Sequence, residues 1–90
     1  MQVKFFATFR KITGEKEVQI SGAGSVADLF ALLAARYALA AEDNFLWREG
    51  KIHPDVIVLV NGRAIEHLNG VATPLQETDT IAIFPRIAGG

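Results

Sequence analysis

From Gln2 to Arg10 apolar and polar residues alternate, with Val3, Phe5, Ala7 and Phe9 on one side and Lys4, Phe6 and Thr8 on the other. A period of two is the mark of a half-buried strand, so this stretch is predicted as the first strand. Thr13-Gly14 supplies turn residues, after which Val18 and Ile20 alternate with Glu17 and Gln19 in a second run from Lys16 to Ile20. The two runs are predicted to form a hairpin. Ser21-Gly22-Ala23-Gly24 breaks the pattern, and Ser25 followed three residues later by Asp28 has the spacing of a helix N-terminal cap. Val26, Leu29, Phe30, Leu33 and Tyr37 then recur at helical spacing with alanines between them, which predicts one helix with a single buried stripe.

From Ala38 to Ile52 the period is lost, and Phe45, Leu46 and Trp47 fit either a short helical turn or a loop anchored over the core, with Trp47 as the packing anchor. His53-Pro54 marks a boundary, and the apolar run Val56 to Val60 ends in Asn61-Gly62, a strong reversal signal after a third strand. Arg63 to Glu66 is predicted to return as a short strand, and Leu68 to Asp79 reads as loop around an anchoring Leu75, with Asn69-Gly70 and Thr73-Pro74 as its turns. In the last run, from Thr80, Ile81 and Ile83 share one face while Ala82 and Phe84 share the other. Pro85 lacks the N–H that a ladder needs, so the strand is expected to stop there and leave the sheet edge. The order is ββαββ, with room for one extra short strand. This predicts an α+β fold: one domain over residues 1–85 and a flexible C-terminal Gly-Gly tail over 86–90.

A single helix covers only one face of a sheet. With Val3, Phe5, Val18, Ile20, Val58, Val60, Ile81 and Ile83 turned toward the helix, Phe6, Leu59 and Phe84 fall on the open face, with Ala82 and Ala64 as small neighbours. Such an exposed apolar patch is expected to mark a partner-binding surface.

Composition narrows the chemistry. The chain has 90 residues and a formal net charge of −1, its Lys and Arg are interspersed with Asp and Glu, and no basic stripe forms, which argues against nucleic acid and anionic membrane partners. It contains no cysteine, so thiolate metal sites and thiol nucleophiles are excluded. No signal-peptide pattern opens the sequence and no apolar run has the length of a membrane span, which predicts a cytoplasmic protein. His53 and His67 lie in no metal-ligand spacing and read as loop residues, so no metal site is predicted. Ser21 and Ser25 read as turn and cap, and Gly22-Ala23-Gly24 lacks the Lys-Ser/Thr of a phosphate loop. What remains is the end of the chain. Arg86 to Gly90 extends up to about 17 Å beyond the predicted last strand, and Gly89 and Gly90 leave a carboxylate on a bare backbone stalk. Arg86 beside it is either a solvated cation or the pair of an acidic partner surface.

Phe5-Phe6-Ala7, Arg10, Gly14, Val60-Asn61-Gly62, Thr73-Pro74-Leu75, Asp79, Ile83-Phe84-Pro85 and Ala88-Gly89-Gly90 together resemble the ubiquitin-like sulfur carriers of the MoaD/ThiS type, and most of all the small subunit of molybdopterin synthase. The resemblance runs over nearly the whole chain. It implies a β-grasp fold, with a mixed sheet of four to five strands wrapped on one main helix. It also implies that an ATP-dependent activating enzyme adenylates the Gly90 carboxylate, that sulfur replaces AMP to give a thiocarboxylate, and that Ala88 and Gly89 thread a narrow cleft of the large synthase subunit or another sulfur acceptor. The chain would then be a carrier for molybdopterin synthesis, with no bound cofactor and no catalytic side chain of its own; ATP belongs to the activating partner. The same resemblance leaves open a modifier joined through Gly90 to lysines, and carriers for cysteine or thiamine synthesis. Phe6, Leu59, Phe84 and Arg86 would bind the partners.

Overall fold

The computed structural model describes residues 1–37 and 50–86 together with the backbone of 47–48. Ala38, Phe45, Leu46 and the tail residues Ala88, Gly89 and Gly90 lie outside the described residues, as does the Trp47 side chain.

Strand β1 (Gln2–Phe5) pairs antiparallel with β2 (Glu17–Gln19), as the hairpin reading expects, with Val3 opposite Val18. The connection differs from the expectation. The strand ends at Phe5, and Thr8–Thr13 forms a short helix, α1. The change is made at Ala7, which at φ 54° and ψ −127° occupies a conformation that suits glycine and is sterically costly for a residue with a Cβ. The Phe9 N–H closes this turn on the Phe6 carbonyl at 3.1 Å, so Phe9 reaches the core from a helix rather than from a strand. Gly14 ends α1 in the left-handed conformation, φ 74°, with its N–H on the Arg10 carbonyl at 2.8 Å.

Helix α2 (Val26–Tyr37) buries Val26, Leu29, Phe30 and Leu33, the stripe that its spacing predicts. The Ser25 hydroxyl oxygen accepts from the Asp28 N–H at 3.2 Å, while the Asp28 carboxylate accepts from the Gly24 N–H at 3.3 Å. This is the expected cap in a variant form, with the carboxylate reaching back one residue further than the Ser25 N–H. Thr73-Pro74-Leu75 closes the same end: the Val26 N–H donates to the Thr73 carbonyl and the Leu75 N–H to the Gly24 carbonyl, both at 3.0 Å.

Beyond α2, Trp47–Arg48 (β3) pairs antiparallel with Lys51–Ile52 (β4) as a separate two-stranded sheet; of the Phe45–Leu46–Trp47 stretch only the Trp47 backbone lies within the described residues. Strand β5 (Val56–Val60) reverses through Asn61-Gly62 into β6 (Arg63–Ala64). Asn61 and Gly62 have φ of 51° and 85°, both left-handed, as a two-residue hairpin turn requires. The predicted return strand is cut to those two residues because Ile65–His67 winds into a 3-10 turn, followed by another at Gly70–Ala72. Leu75 is buried as expected, and β7 (Thr80–Pro85) completes the sheet.

The sheet order is β2-β1-β7-β5-β6, with β1 and β7 parallel and the other pairs antiparallel. This mixed five-stranded sheet packed on one main helix is a β-grasp fold. The last strand is therefore central, not an edge, and Pro85 does not stop it. Pro85 still faces Val56, and the Arg86 N–H continues the ladder to the Asp55 carbonyl at 2.7 Å. Because successive N–H groups point to opposite sides of a strand, the missing N–H of Pro85 faces the β1 side, where pairing has already ended at Phe5 and Ile83.

The predicted helix-facing set is buried at Val3, Phe5, Val18, Val58, Val60, Ile81 and Ile83, and Ile20 packs against that core. At the end of the sheet remote from Pro85, Asp79 braces the β5–β6 reversal. Its carboxylate accepts from the Gln76 N–H at 2.8 Å and from the Asn61 amide at 2.9 Å, and Asn61 in turn accepts from the Thr80 N–H at 2.9 Å. The Gln76 N–H, then the Asn61 amide, hold the Asp79 carboxyl below its ordinary range by favouring the ionised form.

Candidate functional site

The open face follows from the register. Leu59 stands opposite both Ala82 and Ala64, Ile57 opposite Phe84, and Lys4 opposite Ala82, all with the parity that points away from α2. The small side chains of Ala82 and Ala64 leave Leu59 flanked by low ground. The Phe6 and Phe84 rings meet edge to face, centroids 6.0 Å apart, a favourable arrangement for aromatic pairs. Together Phe6, Ala7, Leu59, Ala82, Phe84 and Pro85 line a depression of about 410 Å³. Phe6, Leu59 and Phe84 are thus brought into one contiguous apolar patch, each half-buried.

Two further residues belong to this patch that alternation does not reveal. Ala7 enters the lining because the reversal after β1 tips it onto the rim. Arg10 lies over the Phe6 ring at 5.3 Å from its centroid and donates from Nε to the Phe5 carbonyl at 2.9 Å. Its position depends on α1, which a strand reading of the same residues hides.

The root of the tail lies at the edge of the depression, since Pro85 lines it and Arg86 follows. Arg86 is exposed, with its Nε near the Pro54 carbonyl at 3.4 Å, and it forms no ion pair among the described residues. Elsewhere, a hollow of about 580 Å³ surrounds the Asn61-Gly62 turn, but its Asn61 and Asp79 groups bond each other and brace the loop. His53 accepts the Asp55 N–H at 3.0 Å, and His67 is exposed at the end of a 3-10 turn. Among the described residues no three His, Cys, Asp or Glu side chains converge as a metal site, and no helix is long and apolar enough to cross a membrane.

Residues 3–90 match the ThiS family. The chain belongs to that family. Small archaeal modifier protein 3 of Haloferax volcanii is 39% identical over 93 residues, covering 100% of this chain and 98% of the relative. The solution structure of small archaeal modifier protein 1 from Methanosarcina acetivorans superposes with a TM-score of 0.82 at 31% identity, covering 99% of this chain and 94% of that one. A chain in the crystal structure of the Amycolatopsis orientalis BexX/CysO complex gives 0.81 at 29% identity, covering 99% and 98%. This ThiS-family chain is therefore a small ubiquitin-like protein of the sulfur-carrier and modifier kind. The comparisons do not single out the small subunit of molybdopterin synthase within this kind: the relative aligned end to end at 39% identity bears the name of a modifier.

Proposed function

We propose that this chain is a ubiquitin-like modifier whose Gly90 carboxylate is adenylated by an ATP-dependent activating enzyme and then joined to lysine amines of target proteins. The observation that carries this reading is the end-to-end relationship to small archaeal modifier protein 3, 39% identical over 100% of this chain. A carboxylate is a poor electrophile until one oxygen becomes part of a leaving group. In the proposed sequence its oxygen attacks the α-phosphorus of ATP and expels pyrophosphate. A lysine amine then attacks the acyl carbon, AMP departs, and the amine loses a proton to solvent. Gly89 and Gly90 let bare backbone enter a cleft that any Cβ would obstruct. Catalytic groups, ATP and its metal belong to the partner, and the chain itself is no enzyme.

A second reading, a sulfur carrier in which sulfur displaces AMP to leave a thiocarboxylate, is supported by the 33% identity, over 48 residues and 53% of this chain, to a putative sulfur carrier protein of Archaeoglobus fulgidus. The acceptor would then be a sulfur-consuming enzyme, with molybdopterin, cysteine and thiamine synthesis as its possible pathways. Both readings share the adenylation step, and both use the Phe6–Leu59–Phe84 face to hold the activating enzyme while the tail enters its active site.

The shared step is tested by pyrophosphate release with the activating enzyme of the same organism. Phe84→Asp places a charge in the centre of the apolar depression, where an anchor of the partner would be desolvated, and should lower kcat/KM by about tenfold or more. Folding should survive, with a loss on the order of 1 kcal/mol from the Phe6 contact. Unchanged kinetics with Phe84→Asp would remove this face from the account.

A further inference from the structure

The apolar depression has one charged rim group held from two sides. The Arg10 Nε–H is engaged by the Phe5 carbonyl at 2.9 Å, and the guanidinium carbon lies 5.3 Å from the Phe6 ring centroid, within the range of a cation–π contact. Its terminal nitrogens form no hydrogen bond or ion pair among the described residues. The carboxylates nearest in sequence are engaged elsewhere. Glu15 accepts from the Tyr37 hydroxyl and lies 3.9 Å from Arg36, while Glu17 accepts from the Gln2 amide. Lys4, two residues before Phe6 on the same face, adds a second cation on this side of the patch, opposite Glu17 in β2.

A guanidinium presents its N–H groups as a planar fork that matches a carboxylate at two points. Held by a carbonyl on one edge and a ring on one face, Arg10 keeps that fork in a fixed direction before any partner arrives, so little side-chain freedom is lost on binding. We propose that Arg10 is a specificity-determining residue that pairs in bidentate fashion with a carboxylate of the activating enzyme. The complementary surface then carries an Asp or Glu beside the apolar side chain that fills the Phe6–Leu59–Phe84 depression. The complement is acidic because the Arg10 guanidinium forms no ion pair among the described residues. This inference rests on the proposed function, and it adds what the partner must look like.

The test compares wild type, Arg10→Gln and Arg10→Lys as substrates for adenylation by the organism's own activating enzyme, at low and high ionic strength, with thermal melting as the fold control. Gln keeps a stem to cover Phe6 and an amide able to reach the Phe5 carbonyl, but it carries no charge. Arg10→Gln should raise KM about tenfold with little change in kcat, and should flatten the salt dependence of kcat/KM. Arg10→Lys should restore the salt dependence and only part of the affinity, since an ammonium is a point charge. Arg10→Gln kinetics equal to wild type, or a raised KM with the salt dependence unaltered, would overturn the pairing. Full recovery in Arg10→Lys would overturn its bidentate form. Wild-type protein that releases no pyrophosphate would instead bring down the proposed function, and this inference with it.

Discussion

A chain lacking Gly89 and Gly90 should melt where the intact chain melts and should no longer be adenylated. Among the described residues the last backbone bond of the sheet runs from the Arg86 N–H to the Asp55 carbonyl, and loss of residues at a chain terminus rarely affects stability. The chemistry has no such tolerance. Four residues follow Arg86, a reach of about 13 Å, and removing two of them withdraws the carboxylate by about 7 Å. A nucleophile that far from the α-phosphorus loses the whole advantage of being positioned, which is worth several orders of magnitude in rate. One alanine added after Gly90 should be nearly as harmful, because it shifts the carboxylate and adds a Cβ at its base. Pyrophosphate release at the wild-type rate from the truncated chain would dissociate Gly90 from the function.

Leu33→Ala should have the largest effect on stability. Leu33 is fully buried on α2, among Leu29, Phe30, Phe5 and Ile83, in a core already filled by the sheet's inner face. Truncation removes the burial of the leucine's isobutyl group and leaves a cavity, at a cost of about 2 to 5 kcal/mol. A domain of this size holds on the order of 5 to 13 kcal/mol in total, so the variant should be close to unfolding at physiological temperature. Its urea midpoint should fall by about 1 M or more. Coincident midpoints for variant and wild type would contradict the packing described for α2.

The parts of the fold that could be read from the sequence are those in which one residue pattern has one physical solution. The Val26–Leu29–Phe30–Leu33 spacing permits only a helix with one buried side, and Asn61-Gly62 is the pair best suited to two successive left-handed residues. The patch was legible for a related reason. With a single helix available, the parity that buries Ile81 and Ile83 must expose Phe84, and the same rule fixes Phe6 and Leu59. Alternation alone does not fix the end of the first strand, because two solutions fit there. Phe5, Ala7 and Phe9 alternate as a strand does, while Phe9 also fits the inner side of a short helix, and nothing in an alanine announces the glycine-like conformation that decides between them. Pro85 misled because its missing N–H matters only if something lies on that side, and whether β1 extends that far is a tertiary fact. Strands of two residues, such as β3 and β4, are too short to show a period at all. The place of Arg10 at the rim of the patch exists only once α1 has formed.

The central claim is that the Gly90 carboxylate is activated and passed on, and mass spectrometry of the protein purified from its own cells addresses it most directly. Intact mass separates the free carboxylate from a thiocarboxylate, which is heavier by the difference between sulfur and oxygen. Digestion with trypsin separates both from a conjugate, because cleavage after Arg86 leaves Ile87-Ala88-Gly89-Gly90 as a branch on each modified lysine. Modifier activity predicts that this four-residue branch appears on lysines of other proteins and disappears when Gly90 is deleted. A thiocarboxylate without branches would favour the sulfur carrier over the modifier. Only free carboxylate, in cells that contain the activating enzyme and have been given the sulfur source, would contradict both.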